Sequence, residues 1–133
     1  MAPRHVLVID DQPSIVHFLR CSLEDRWSGC SVDVAHSSRQ ARALLQHNSY
    51  DVVLTDYQLR DGNGLELAAL VKERQGSVAV VLMTASPPAP LQAASGLECN
   101  GIAAMLRKPF DLGQLFAIIE RAADGGQQDV PYA

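Results

Sequence analysis

The chain has 133 residues, of which 47% are hydrophobic and 20% are charged, and this length and composition fit a single domain with one hydrophobic core. Its net charge of −4 argues against direct binding to DNA or to anionic membranes, since affinity for phosphate groups comes chiefly from Lys and Arg. Its three cysteines include no CxxC pair, which fits reduced thiols in a cytosolic chain better than a disulfide framework.

Strand-like and helix-like apolar patterns alternate along the chain. In chain order we predict strand 5–10, helix 13–25, strand 31–35, helix 38–46, strand 51–56, loop 57–63, helix 64–74, strand 78–83, a short helix from about Pro90 or Leu91 to before Gly96, strand 102–107 and a helix from the cap Asp111 to near Asp124. This alternation is typical of βαβ units, so we expect an α/β fold with a mostly parallel sheet covered by helices on both faces.

The last helix has a clear predicted beginning. Asp111 is a natural N-cap, and Gln114 three residues later completes a variant of the capping box. The predicted buried stripe of this helix is Leu112, Leu115, Phe116 and Ile119. The residues after the helix contain one Gly-Gly pair, one Gln-Gln pair and Pro131 without periodicity, so we divide the chain into a domain at 1–124 and a flexible tail or linker at 125–133.

Polar side chains stand at the carboxyl ends of four predicted strands. Asp10 and Asp11 end the first, Asp56 the third, Thr84 the fourth, and Lys108 comes directly after the fifth. Any one of these residues could simply form a turn. Independent turns, however, give no reason for acidic, hydroxyl and basic groups together to end four buried strands. Because ligands of open parallel sheets bind outside the carboxyl ends of the strands, we expect these residues to share one pocket.

This set of residues, together with the Lys-Pro-Phe at 108–110, resembles the receiver domain of bacterial two-component response regulators over roughly residues 6–123. The resemblance implies a CheY-like, doubly wound (βα)5 domain with a five-stranded parallel sheet in the flavodoxin-like order 2-1-3-4-5. It also implies a phosphorylation-controlled signalling receiver. Such a domain catalyses its own phosphorylation and dephosphorylation and is not otherwise an enzyme.

The acidic residues predict a metal site. Three crowded carboxylates repel one another unless a cation is present, and Mg²⁺ is a hard ion that prefers oxygen ligands. The resemblance implies that Asp56 is the phosphoacceptor and that Mg²⁺ is the cofactor. Asp11 and Asp56 are then its direct ligands, Asp10 binds directly or through water, and the backbone carbonyl of Gln58 completes the set.

The resemblance also assigns roles to the hydroxyl and the cation. Thr84 is expected to hydrogen-bond a phosphoryl oxygen, and Lys108 is expected to neutralise the phosphoryl charge. The Lys108–Pro109 peptide bond is expected to be cis, as in other receivers. Gln58 and Ser86 flank the expected opening and would tune hydrolysis of the phosphoryl group.

Partners and location are also implied by the resemblance. The phosphodonor is expected to be a sensor histidine kinase or a histidine phosphotransfer protein that docks on residues 13–19 of the first helix. Output is expected through a downstream effector protein or a C-terminal output domain outside this chain, and a homodimer is a further option. No signal peptide or membrane span is predicted, since no apolar run approaches about 18 to 20 residues. A cytoplasmic location is therefore expected.

Two features depart from the receiver pattern and keep an alternative open. Met105 stands where many receivers have a Tyr or Phe that reports movement of the Thr, and three prolines at 87, 88 and 90 crowd the loop after Thr84. The alternative is therefore a phosphorylation-independent interaction module with the same fold. Two other classes of protein fit the sequence less well. A haloacid dehalogenase-type phosphatase needs a second Asp where this chain has Gln58. A flavodoxin-like electron carrier would place its anionic cofactor beside Asp10 and Asp11, whose charges would repel it.

Overall fold

A computed structural model describes residues 2–85 and 102–124 of the chain. Within these ranges the elements are β1 His5–Ile9, α1 Pro13–Arg26, β2 Ser31–Ala35, α2 Ser38–His47, β3 Val52–Asp56, β4 Gln58–Leu59, β5 Gly62–Asn63, α3 Gly64–Arg74, β6 Ala79–Thr84, β7 Ile102–Arg107 and α4 Leu112–Ala123. The expected helix near Pro90, the roles given to Ser86 and the prolines, and the tail at 125–133 all lie outside the described residues.

The main sheet has five parallel strands in the order β2-β1-β3-β6-β7. The predicted α/β fold and strand order are therefore confirmed, because β4 and β5 form a separate antiparallel pair and do not enter this sheet. That pair lies in the predicted loop 57–63. Its strands have only two residues each, so no hydrophobic periodicity in the sequence could reveal them.

The sheet divides the hydrophobic core into two clusters. Side chains alternate along each strand, so that Val6 and Val8 face the cluster under α1 and α4, whereas Leu7 and Ile9 face the cluster under α2 and α3. All four are fully buried. Burial of each such side chain contributes about 1.5–3 kcal/mol, and this explains why the strands read as continuous apolar runs.

Helix caps fix where the elements begin. The predicted capping box of Asp111 and Gln114 is present at α4, and Asn63 and Glu66 form a second capping box at α3. The prediction that Leu112 is buried was wrong. It is the first residue of α4 and remains 38% exposed, and burial along this helix begins one turn later at Leu115.

Gly64 has a steric role that the sequence did not reveal. A Cβ at this position would lie 2.6 Å from Leu82 Cδ1 and 2.8 Å from the backbone oxygen of Asp56, and real Cβ contacts are not so short. Glycine therefore allows the start of α3 to approach the end of β3 closely. Among the described residues, no helix is both long and apolar enough to cross a membrane.

Candidate functional site

Strand pairing places the predicted site residues at one edge of the sheet, which we call the carboxyl edge. β1 and β3 pair up to Ile9 and Thr55, and β6 and β7 pair up to Thr84 and Arg107. Backbone hydrogen bonds extend this ladder beyond the strands, since Lys108 N donates to the carbonyl of Thr84 at 2.9 Å. The residues directly after the strands are thus brought together.

The three carboxylates form a cluster at this edge. Asp10, Asp11 and Asp56 each offer one oxygen, and these oxygens all lie within 4.8 Å of one another. Asp10 is fully buried, while Asp11 and Asp56 are half-buried. An all-oxygen set that is partly open to solvent suits a hard cation such as Mg²⁺, which keeps several of its waters. The donor set therefore fits the predicted metal.

Lys108, which directly follows the edge strand β7, reaches the acidic cluster. Its Nζ lies 3.2 Å from Asp10 Oδ2 and 3.3 Å from Asp56 Oδ1, although Asp10 and Lys108 are 98 positions apart in the chain. The peptide bond between Lys108 and Pro109 is cis, as predicted. One ammonium group thus faces two carboxylates, and the cluster keeps an excess of negative charge.

The environment of Asp56 reflects this excess. Burial raises the pKa of the Asp56 carboxyl, Lys108 opposes the rise, and the charge of Asp10 adds to it, with a net shift upward. Ionisation of Asp56 is thus less favourable in the metal-free site than in water, chiefly because the carboxyl is withdrawn from solvent. A bound cation would favour the ionised form, which is the nucleophilic one.

Two adjoining cavities open onto Asp56. The first is lined by Asp56, Tyr57, Gln58, Thr84, Ala85 and Lys108. The second shares Asp56, Tyr57 and Gln58 and extends past Asp11 to the β4–β5 pair. Thr84 is nearly buried and Gln58 is exposed. The cavity between Thr84 and Lys108 therefore lies directly beside the carboxylate, with Gln58 at its mouth.

The sequence interpretation missed two charged residues near this site, Arg60 and Asp61. They occupy the two-residue turn between β4 and β5. Arg60 Nε lies 3.9 Å from Asp11 Oδ2, and the Arg60 side chain is 85% exposed. Asp61 instead contacts the start of α2. One signal was present in the sequence, because the capping box of Asn63 and Glu66 marks the end of the hairpin.

Comparisons with known proteins agree with the resemblance noted in the sequence. A family profile described as the response regulator receiver domain matches residues 6–120. The response regulator protein PilR of Pseudomonas aeruginosa is 32% identical over 126 residues, which cover 92% of this chain and 26% of that protein. The DNA-binding transcriptional regulator NtrC of Proteus hauseri is 33% identical over 122 residues, which cover 92% of this chain and 25% of that protein. The chain spans about a quarter of the length of these relatives.

Solved structures resemble the fold over most of the chain. The chemotaxis response regulator CheY4 of Vibrio cholerae has a TM-score of 0.78 at 25% identity, covering 89% of this chain and 97% of that chain. The beryllofluoride-activated NtrC4 receiver domain dimer has a TM-score of 0.80 at 26% identity, covering 92% of this chain and 98% of that chain. A CheY-like protein from Methanospirillum hungatei, with a TM-score of 0.82 at 21% identity over 92% of this chain and 94% of that chain, supports the fold alone.

Proposed function

This chain belongs to the response regulator receiver domain family, and on that premise we propose that it is a receiver that accepts a phosphoryl group on Asp56. Signalling controlled by phosphorylation is the general role of this family. The observation that carries the specific assignment is the contact of Lys108 Nζ with both Asp10 and Asp56 at the carboxyl edge. It brings the nucleophile, the acidic cluster and a cation together in one pocket.

The reaction transfers the phosphoryl group from a phosphohistidine of a sensor histidine kinase or a histidine phosphotransfer protein. A carboxylate oxygen of Asp56 forms a bond to phosphorus while the bond between phosphorus and the donor's imidazole nitrogen breaks, and that nitrogen keeps the electron pair. Asp56 has an exposed route to the donor because its cavity opens at Gln58. The donor would dock on residues 13–19 of α1, which begins beside Asp11.

Mg²⁺ is the proposed cofactor. Asp11 and Asp56 would hold it directly, Asp10 directly or through water, and the backbone carbonyl of Gln58 would add a neutral ligand; the proximity of the carboxylate oxygens supports this set. When bound, Mg²⁺ neutralises negative charge on the phosphoryl oxygens. Asp10 is also held in place by the backbone N–H of Gln12, which donates to its Oδ1 at 3.0 Å.

Lys108 and Thr84 would bind the phosphoryl group after transfer. Phosphorylation adds about −1.5 to −2 charges, so the ammonium of Lys108 gains an anionic partner in place of the Asp56 carboxylate. The hydroxyl of Thr84 would donate to a phosphoryl oxygen across the cavity that both residues line. The small side chain of Ala85 leaves room in that cavity. Water attack would reverse the modification, with Gln58 at the opening.

The response would pass through the core, because this chain lacks the aromatic residue that many receivers use. Met105 is 1% exposed and belongs to the cluster under α2 and α3, where it pairs in register with Leu82 of β6. Methionine is flexible and repacks at low cost. Movement of Thr84 at the end of β6 would therefore be transmitted by repacking of Met105 within this cluster.

The output and the assembly state are proposed from the relatives. PilR and NtrC are longer regulators, so the output of this domain would be a C-terminal domain outside the chain or a separate effector protein. The NtrC4 receiver is a dimer in its beryllofluoride-activated form, and a homodimer of this domain on phosphorylation is the corresponding proposal. The domain would comprise residues 1–124, with 125–133 as tail or linker, in the cytoplasm.

Intact-protein mass spectrometry tests the proposal. The protein is incubated with a small-molecule phosphodonor such as phosphoramidate, with Mg²⁺ or with a chelator, and compared with Asp56→Asn and with the exposed control Asp25→Asn. We expect the mass of one phosphoryl group on the unchanged protein and on Asp25→Asn, and only with Mg²⁺. Absence of labelling in conditions that label another receiver would favour the alternative, a phosphorylation-independent interaction module.

A further inference from the structure

The turn of the β4–β5 hairpin is bound to the start of α2, a helix that supplies none of the residues proposed to hold the metal or the phosphoryl group. Asp61 Oδ1 accepts a hydrogen bond from the backbone N–H of Ser38 at 2.8 Å, and Oδ2 accepts one from the backbone N–H of Arg39 at 3.0 Å. The next N–H, that of Gln40, donates to the side chain of Ser37. The first turn of α2 is thus capped by two residues, and one of them comes from the hairpin.

The other side of the hairpin is attached to α3. Asn63 and Glu66 exchange hydrogen bonds in the capping box, and Gly64 N donates to the carbonyl of Tyr57 at 2.7 Å. Gly62 fits closely between side chains of α3 and α2, because a Cβ at this position would lie 3.2 Å from Glu66 Oε1 and 3.3 Å from Ser38 Oγ. The hairpin is therefore held on both sides, by Asp61 at the start of α2 and by the capping box at the start of α3.

The hairpin in turn carries a proposed metal ligand. Gln58 lies in β4, where it pairs with Asn63, and it lines the cavity together with Asp11 and Asp56. Asp61 is three positions from Gln58, on the same short hairpin. With so few residues between them, a shift of the turn would be transmitted to the backbone of Gln58.

We propose that Asp61 is a positioning residue for the metal site: by holding the start of α2, its carboxylate fixes the hairpin that presents the Gln58 carbonyl, and it thereby sets the affinity for Mg²⁺. This inference rests on the proposed function, since it takes the Gln58 carbonyl to be a Mg²⁺ ligand. Asp61 does not touch the reacting atoms, so it acts through Gln58.

Charge supports the strength of this contact. The backbone N–H groups of Ser38 and then Arg39 hold the pKa of the Asp61 carboxyl below its usual value. Asp61 is therefore ionised at neutral pH and complements the positive end of the α2 dipole. Hydrogen bonds to a charged group are stronger than neutral ones, but Asp61 is exposed and water competes for it, so the expected effect on the metal is moderate.

Mg²⁺ titration by calorimetry on the folded protein measures this effect directly. We expect Asp61→Ala to raise the dissociation constant about three- to tenfold, the range that corresponds to the loss of a modest hydrogen bond. Asp61→Asn keeps one acceptor oxygen and should fall between Asp61→Ala and the unchanged protein. The control Asp25→Ala removes the same charge from the last turn of α1, about 18 Å along the helix from Pro13, and should leave the constant unchanged.

Two further measurements separate positioning from simple stability. Amide hydrogen exchange at Ser38 and Arg39 should become faster in Asp61→Ala, which reports the lost contact. The Mg²⁺ concentration that gives half-maximal phosphorylation should rise by the same factor as the dissociation constant, with the rate at saturating Mg²⁺ unchanged. A general loss of stability would not produce this split.

The outcomes distinguish the inference from the function beneath it. An unchanged Mg²⁺ affinity in Asp61→Ala, despite faster exchange at Ser38 and Arg39, would show that Asp61 merely caps α2. Equal weakening in Asp61→Ala and Asp61→Asn that disappears at high salt would indicate long-range charge and would also overturn the inference. If Asp61→Ala does not fold, Asp61→Asn provides the same comparison. Absence of Mg²⁺ binding by the unchanged protein would overturn both the inference and the proposed metal site.

Discussion

Replacement of Lys108 by methionine should destabilise the metal-free protein, because Lys108 faces two carboxylates that are largely withdrawn from water. Asp10 is 0% exposed, the side chain of Asp56 is 17% exposed, and Lys108 Nζ lies 3.2 and 3.3 Å from them. At an effective dielectric constant of about 20, each contact is worth about 5 kcal/mol of attraction. Desolvation offsets most of this, and removal of one partner of a buried pair typically costs about 3–5 kcal/mol.

Since the side chain of Lys108 is 25% exposed, we expect a loss of about 2–3 kcal/mol in the free energy of unfolding. Urea denaturation in a chelator, monitored by fluorescence, measures it. Trp27 is the single tryptophan of the chain, and it is buried against Phe116 with ring centroids 5.5 Å apart, so its emission reports loss of the core. Lys72→Met removes an exposed ammonium from α3 and should cost about 0.5 kcal/mol or less.

Mg²⁺ provides the stringent test of this reasoning. Lys108→Met removes a like charge from the cation site, so the variant should bind Mg²⁺ more tightly than the unchanged protein and gain more stability at the same Mg²⁺ concentration; binding at about 100 times the dissociation constant is worth about 2.7 kcal/mol. The penalty of Lys108→Met should therefore be smaller in Mg²⁺ than in chelator. A loss below about 0.5 kcal/mol without metal, or an equal loss with and without Mg²⁺, would show that Lys108 is not the main counter-charge of Asp10 and Asp56.

Three other predictions concern acidity, sterics and thiol reactivity. Because the pKa of Asp56 is raised, the metal-free protein should lose stability as the pH rises from about 4 through that raised pKa. Urea denaturation across this pH range should show the loss in the unchanged protein and not in Asp56→Asn. Parallel stability profiles of the two proteins would contradict the prediction. Gly64→Ala should cost about 1–3 kcal/mol, because its Cβ would lie 2.8 Å from the Asp56 carbonyl oxygen, whereas Gly29→Ala meets nothing within 4 Å and should be nearly neutral in thermal denaturation. Burial, with smaller contributions from nearby carboxylates, raises the pKa of Cys30 to about 11, so alkylation at pH 8 and peptide mapping should find exposed Cys21 modified well before Cys30; equal rates would refute the burial argument.

The sequence was sufficient to predict the strands and the polar residues at their carboxyl ends. Each central strand is buried on both faces, so Val52–Asp56 reads as an apolar run with one polar residue at its end, and parallel pairing then forces such ends to one edge. The approach of Lys108 to Asp10 and Asp56 was predicted for this reason. The chemical roles assigned to these residues remain predictions, because proximity does not measure reactivity.

The features that the sequence did not reveal depend on contacts between distant segments. Asp61 was not singled out in the sequence, since nothing in the local pattern shows that the backbone N–H groups of residues 38 and 39 are its partners. The sequence did not reveal the steric role of Gly64, because the neighbours that exclude a side chain there include Leu82, which lies on β6 and is distant in the chain. Leu112 fitted the apolar stripe of its helix, but its exposure depends on where α4 begins to cover the sheet.

The direction of α4 has a practical consequence for protein engineering. Glu120 Oε1 in its last turn lies 3.6 Å from Nη2 of Arg26, the final residue of α1. The backbone carbonyl of Arg4, just before β1, accepts a hydrogen bond from the backbone N–H of Ser31 at the beginning of β2. Residues 4 and 124 thus both lie towards the end of the sheet away from Asp56. Fluorescent proteins fused at these two points would leave the mouth of the pocket clear, which makes the domain a convenient sensing module for a genetically encoded reporter.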